Sequence, residues 1–321
     1  MQATQSTSSI SNICKTRPIL RHTSTLLSAC SHSQDTMPPS TILITGASSG
    51  LGLHIALACL SAGHTVIATA RNPTLARQQH PSIKTWLPLD VTSPDTTSLA
   101  AAMVAEHDVN VVINNAGYAL RGVCEDLSLE EYRAQMETNL FGAIAVTKAV
   151  LPHLRTHHPN NATIVNISST SGLTGSAGYT AYAASKFALE GFLESLCVEL
   201  KDVGIRVLLV EPGAFRTNFQ SAATGPPVEG MNEAYQGTAA AAVIRDRSAQ
   251  HGRQEGDPVK AGKAIVRAVM LVGEERKTEG LLRLPLGRGA VARTEAKIRG
   301  LSENLEVARE IAGSVCFDGG E

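Results

Sequence analysis

From Thr41 onward the chain alternates short apolar runs with longer stretches whose apolar residues recur at helical spacing. Thr41-Ile42-Leu43-Ile44-Thr45 is apolar almost throughout, which predicts a strand covered on both faces. Helical spacing takes over from Gly50 to Ala62, and further strands are predicted at His64 to Thr69 and Ile83 to Leu89. A helix around Leu99 to Glu106 precedes a fourth strand at Val109 to Asn114. A long helix from Leu129 to about His157 leads to a strand at Ala162 to Ser168. A second, from about Tyr182 to Val203, leads to Ile205 to Val210. Strand–helix–strand alternation requires crossover connections and hence parallel strands. The predicted fold is α/β: a doubly wound parallel sheet in three α/β/α layers, forming a single domain over residues 37–321.

Past Pro212-Gly213 the pattern loosens. Ala214 to Gly256 is rich in Gly, Ala, Pro and polar residues, with one helix expected around Met231 to Arg247. Asp257-Pro258 marks a new helix start, with Asp at the N-cap and Pro in the first turn. A short final strand is expected at Gly280 to Leu284, then a partly frayed helix from Arg288. No internal repeat is visible.

Composition narrows the class. Of 321 residues, 43% are hydrophobic, enough for a sizeable core, yet no apolar run is long enough to span a bilayer. The net charge of −1 and the absence of a basic cluster argue against a nucleic-acid partner. The six cysteines contain no Cys-x-x-Cys pair, so buried free thiols in a reducing compartment are expected. The histidines show no helical pair with a matching carboxylate, and His157-His158 reads as a solvated helix end. No metal ligand set is expected, which argues against a metal-dependent dehydrogenase. Residues 1–36 are rich in Ser and Thr and carry Lys15, Arg17 and Arg21 with no acid before Asp35. They read as a disordered extension or a transit peptide. The expected location is accordingly cytoplasmic, or mitochondrial if they act as a transit peptide.

Two places in the chain carry chemistry. After the first strand, Thr45-Gly46-Ala47-Ser48-Ser49-Gly50-Leu51-Gly52 forms a glycine-rich turn into a helix. Such a turn brings backbone N–H groups and a helix N-terminus close to a pyrophosphate, though a glycine turn can also be purely structural. At the end of the second strand stands Thr69-Ala70-Arg71, where an acid would select a ribose hydroxyl. Arg71 suits a 2′-phosphate, or is a solvated surface residue. Further on, Tyr182 and Lys186 lie one helical turn apart, so a lysine charge shares a face with a phenol and favours its ionised form.

In order, these segments are the glycine turn, Asn114-Asn115-Ala116-Gly117, Asn139, Ser169, Tyr182-x-x-x-Lys186 and Pro212-Gly213. Together they resemble the short-chain dehydrogenase/reductase family from Met37 to the C-terminus. Gly46-x-x-x-Gly50-x-Gly52 is the form of turn that family uses. The resemblance implies a Rossmann-type fold, and an oxidoreductase interconverting a ketone or aldehyde with an alcohol on a mainly apolar small molecule. NADP(H) is the expected cofactor.

The family serine precedes its tyrosine by thirteen residues, which singles out Ser169, with Ser168 its replacement if the strand end shifts. Ser169 would stabilise the developing alkoxide, Tyr182 would be the acid or base, and Lys186 would tune Tyr182 and hold ribose hydroxyls. Asn139 would bend its helix and hold a relay water. By the same likeness Gly46, Ser48, Ser49, Gly50, Leu51 and Gly52 line the diphosphate, and Asp90 and Val91 flank the adenine. Asn115, with Ala116 and Gly117, lies near the ribose. Lys148 reaches that region or is simply solvated. Pro212, Gly213, Phe215 and Thr217 meet the nicotinamide end.

Residues 214–256, carrying Phe215, Phe219, Met231 and Tyr235, are expected to be a substrate lid, with Tyr179 lining the pocket. The glycine turn with Ala68-Thr69-Ala70-Arg71 is similar to the branch holding hydroxysteroid and retinol dehydrogenases, and to fungal ketoreductases. Two other readings stay open. One is a ketoreductase for carrier-bound acyl thioesters, with Arg121, Arg133 and Arg216 as a basic patch; the other is a non-catalytic NADPH-binding regulator. By the same resemblance the two long helices form an oligomer interface, which implies a homodimer or homotetramer.

Overall fold

The computed structural model describes residues 39–226, 230–249, 252–270, 281–315 and 317, so the expectations for residues 1–36 lie outside the described residues. Seven strands form one sheet: β1 (Thr41–Ile44), β2 (Thr65–Ala70), β3 (Thr85–Pro88), β4 (Val111–Asn114), β5 (Ala162–Ile167), β6 (Ile205–Pro212) and β7 (Arg283–Leu286). Their spatial order is β3-β2-β1-β4-β5-β6-β7, and every pairing is parallel. The chain reverses its direction of winding between β1 and β4, which opens a crevice beyond the carboxyl ends of those two strands.

The helices are α1 (Gly50–Ser61), α2 (Pro73–Gln79), α3 (Thr96–Glu106), α4 (Leu129–Met136), α5 (Gly142–His157), α6 (Thr180–Leu200), α7 (Ala239–Ala249), α8 (Pro258–Met270) and α9 (Arg288–Gly313). The period of two along each strand divides the core. Leu43, Ile67, Val112, Ile164, Val207 and Leu209 point to one face, packed with residues of α3, α5 and α6. Ile42, Ile44, Val66, Ile113, Val165 and Val210 point to the other, under α1 and α8. These two helices pack closely because α8 offers a glycine: a Cβ on Gly262 would stand 2.4 Å from the His54 carbonyl oxygen.

Four elements depart from the sequence pattern. α2 was not expected, although Asn72 caps it by accepting from the Leu75 N–H at 3.0 Å and Pro73 occupies its first turn. The helix expected from Leu129 to His157 is continuous but passes through a π-helical turn at Glu137–Phe141, so it forms α4, one wide turn and α5. The helix expected from Met231 starts at Ala239 instead, because Gly237 adopts φ +79° and breaks the run. The final strand is shifted to Arg283–Leu286, with Pro285 tolerated on the edge of the sheet. Asp257 does cap α8, accepting from the Val259 N–H at 2.8 Å. Among the described residues, no helix is long and apolar enough to cross a membrane.

Candidate active site

The glycine turn sits where β1 and β4 end side by side. Thr45 Oγ1 accepts from the N–H groups of Asn115 and Ala116, both at 3.0 Å, and so ties the two strand ends together. Asn115 Nδ2 donates to the carbonyls of Thr45 at 3.0 Å and Gly46 at 2.9 Å. The amide expected near a ribose therefore braces the turn. The glycines are required by this crowding: a Cβ on Gly46 would lie 2.8 Å from Ala116 Cα, and one on Gly52 would lie 2.3 Å from Asn115 Nδ2. At the start of α1, Ser49 is extended and makes no side-chain cap, and no acid occupies the first turn. Uncapped N–H groups on a helix without a local anion suit a diphosphate. Thr217 faces this turn, its Cβ 3.8 Å from where a Gly50 Cβ would be.

The remaining cofactor candidates divide. Arg71 is exposed just past β2, and its charge acts on Asp90, whose carboxyl is held below its usual range chiefly by the Thr92 N–H and hydroxyl. Val91 is buried, its side chain against Gly142. The Phe215 ring packs on Gly256 and Gly287. Pro212 and Gly213 close β6, with the Gly213 N–H donating to Leu286 at 2.9 Å. Lys148 is exposed, whereas Ala143, Val146, Thr147, Val150 and Leu154 form the buried face of α5.

Beyond β4 and β5 the polar side chains converge. Asn139, in the π-helical turn, is 1% exposed; its Oδ1 accepts from the Tyr118 N–H, and its Nδ2 donates to the Tyr118 carbonyl and Ser185 Oγ. Both amide hydrogens are thus committed to protein. Gln135, one turn earlier, clamps the same loop, accepting from the Leu120 N–H at 2.7 Å and donating to the Tyr118 carbonyl at 3.0 Å. Sequence reasoning missed Gln135; its spacing of four from Asn139 was the available signal.

Tyr182 and Lys186 lie buried on α6, with Lys186 Nζ 5.9 Å from the Tyr182 ring centroid. Lys186 Nζ donates to the Ile167 carbonyl at 2.8 Å. Burial lowers its titration to about 8, against an opposing pull from Glu190. A Cβ on Gly117 would stand 3.0 Å from Asn139 Oδ1 and 3.8 Å from Lys186 Nζ, so all three groups meet at one point.

Two serines follow β5 and have different partners. Ser169 is extended and accepts from the Ser171 N–H at 3.1 Å, while the Ser168 hydroxyl donates to Glu190 Oε1 at 2.6 Å in the interior. Glu190 belongs to a charge cluster that the sequence did not reveal. Arg283 on β7 donates to Glu190 at 2.6 Å, to Glu194 at 2.8 Å and to Glu211. Around Tyr182 the walls are apolar. Tyr179 meets it edge-on at 6.4 Å and Phe219 lies at 5.8 Å between ring centroids, with Ala119 and Ala223 beside them.

A phenol beside a buried lysine, on a sheet whose crevice also holds a glycine turn into an uncapped helix, is an arrangement that can pass a proton next to a bound dinucleotide. A family model described as short chain dehydrogenase matches residues 40–226. The chain belongs to the short-chain dehydrogenase family. Among relatives of this short-chain dehydrogenase, oxidoreductase claN of Passalora fulva is 53% identical over 210 residues, covering 64% of this chain and 94% of that one. Oxidoreductase BOA17 of Botryotinia fuckeliana is 36% identical over 277 residues, 84% of this chain and 96% of its own. The crystal structure of a short-chain dehydrogenase from Streptomyces avermitilis matches with a TM-score of 0.76 at 35% identity, covering 87% of this chain and all 100% of that one. Short-chain dehydrogenases are oxidoreductases that bind a nicotinamide cofactor.

Proposed function

We propose that this chain is an NADP(H)-dependent oxidoreductase interconverting a ketone or aldehyde with its alcohol on a mainly apolar small molecule, with Tyr182 handling the proton. The observation that carries this reading is the meeting of Asn139, Gly117 and Lys186 beside Tyr182, at the crevice where the glycine turn ends. The first turn of α1, with Ser48, Ser49 and Leu51, would hold the diphosphate. Arg71, with no acid at the end of β2, would hold a 2′-phosphate. When bound, the nicotinamide supplies or takes up the hydride.

Tyr182 holds the proton that passes to the carbonyl oxygen in reduction, and takes it back in oxidation. Lys186, cationic for the most part at neutral pH with its titration near 8, favours the phenolate that remains. Ser169 would donate to the same oxygen. The commitment of the Ser168 hydroxyl to Glu190 supports choosing Ser169. Asn139 holds the loop after β4 in place.

Tyr179, Phe219, Ala119 and Ala223 support an apolar substrate under a lid of residues 214–256. The basic patch needed for a carrier-bound thioester gains no support. Arg133 pairs with Glu130 at 3.2 Å, and Arg216 donates to the Gln254 carbonyl at 2.5 Å. Leu129, Phe141 and Phe187, exposed on the long helices, support a homo-oligomer.

The test is NADPH consumption by wild type and Tyr182→Phe across steroid, retinoid, polyketide-like and acyl-thioester carbonyls. Turnover that favours NADPH and vanishes in the variant is expected, and Arg71→Ala should lose about tenfold or more of the NADPH preference, the scale of one charge-assisted pair. A Tyr182→Phe protein as active as wild type would overturn the proposal.

A further inference from the structure

At the amino ends of β4 and β5, opposite Tyr182, the turn from α3 meets the last turn of α5. Asp108 sits in that turn, and His153 and His158 lie at the end of α5. The pair His157-His158, read from sequence as a solvated helix end, is half corrected. His157 is exposed, but the His158 side chain is only 14% exposed and that of His153 only 10%. Asp108 Oδ1 lies 2.9 Å from His158 Nε2 and 3.6 Å from His153 Nε2.

Despite this closeness, neither Nε2 atom has a hydrogen-bond partner. A protonated imidazole at 2.9 Å would ordinarily point its N–H at the carboxylate; here the oxygen lies outside that geometry. Both Nε2 atoms are thus left available to a ligand. The three ligand atoms lie within 4.8 Å of one another. A tetrahedral zinc ion with bonds of about 2.0–2.2 Å sets its ligands roughly 3.3 Å apart, so the cluster needs only small side-chain adjustments.

We propose that Asp108, His153 and His158 form a zinc site, with two neutral imidazoles, one carboxylate and a fourth position open to water. The scaffold is already fixed. The Val109 N–H donates to Val104 at 3.1 Å and the Thr163 N–H to Asn110 at 3.0 Å, while the Asn110 amide bonds the Asn161 carbonyl at 3.3 Å. His157 stacks on His153 with ring centroids 4.4 Å apart, which limits rotation of that ligand. Asp108 is 74% exposed and leaves the ion a way in from solvent. Lying at the opposite end of the strands from Tyr182, the ion serves to tie α3 to α5 and takes no part in hydride or proton transfer.

The test is competition of the full, tag-free chain against a chromophoric zinc chelator, for wild type, His158→Ala, Asp108→Asn and, as a control, Tyr182→Phe. One equivalent of zinc in wild type and in the control is expected, with affinity at least about tenfold weaker in the other two variants. Circular dichroism of each variant separates loss of the site from loss of the fold, and Asp108→Asn preserves shape if His158→Ala does not fold. The proposal is overturned if wild type fails to compete at micromolar free zinc, or if both variants bind as wild type does. Asp108 and His158 would then form an ordinary ion pair.

Discussion

Replacing Arg283 with Met keeps most of the side chain's apolar stem and removes the cation shared by three carboxylates. Two of those carboxylates are buried, the Glu211 side chain 0% exposed and that of Glu190 3%, and Glu190 is also relieved by the Ser168 hydroxyl and the Lys186 charge. Burial first, then the neighbouring Glu190 charge, raises Glu211 to about 7 even with Arg283 in place. The folded protein therefore keeps a proton that the unfolded chain releases between roughly pH 4.5 and 7. Stability falls as pH rises through that window and is level above it, where both states are ionised.

Without Arg283, Glu211 stays protonated at pH values where wild type has already ionised. It then costs about 1.4 kcal/mol more for every pH unit above 7. Near pH 5.5 only hydrogen bonds are lost, about 1–2 kcal/mol. Near pH 8.5 the loss should reach about 3–5 kcal/mol, the range for a broken buried ion pair. Urea unfolding of both proteins at the two pH values measures this directly. A penalty that is equal at both, or below about 1 kcal/mol at the higher pH, would refute the reasoning.

Two further outcomes are expected. In Glu190→Gln the carboxylate that supports the Lys186 ammonium is gone, so Lys186 should titrate below its present value of about 8. The alkaline limb of the pH profile of kcat/KM should move to lower pH, and an unmoved limb would show that Glu190 does not act on Lys186. In Gly52→Ala the new Cβ would meet Asn115 Nδ2 at 2.3 Å and the Gly46 carbonyl at 2.6 Å. NADPH affinity should fall by at least about tenfold, roughly 1.4 kcal/mol; fluorescence titration matching wild type would show that the turn can relax without harm.

Local patterns made most of the sheet legible. β1, β2, β4, β5 and β6 announce themselves because strands buried on both faces must be apolar at nearly every position, as Ile42, Leu43 and Ile44 are. Asp257-Pro258 located a helix start to the residue, because a cap is a contact between near neighbours in sequence. α2 carried the same kind of signal in Asn72-Pro73, but it is too short and polar for periodicity to register. The π-helical turn has no comparable marker: the apolar spacing runs through it, and only the inward placement of Gln135 and Asn139 shows the extra residue. The site divides the same way. The glycine turn is one unbroken run and Tyr182 and Lys186 are four residues apart, so each is readable locally. The cluster of Glu190, Glu211 and Arg283, and that of Asp108, His153 and His158, join residues from separate elements, and pairing across a fold leaves no local trace.

That Arg283 comes from the final strand also bears on biosynthesis. A ribosome delivers β1 to β6, Tyr182, Lys186 and two interior carboxylates well before the cation that neutralises them. Until β7 is added, the sheet edge at β6 lacks its neighbour and Glu190 and Glu211 lack the Arg283 guanidinium. A nascent chain that has not yet reached β7 thus carries the residues proposed for catalysis on a scaffold held back from its final stability, and commitment to the native state waits for a strand that follows β1 to β6 in the chain.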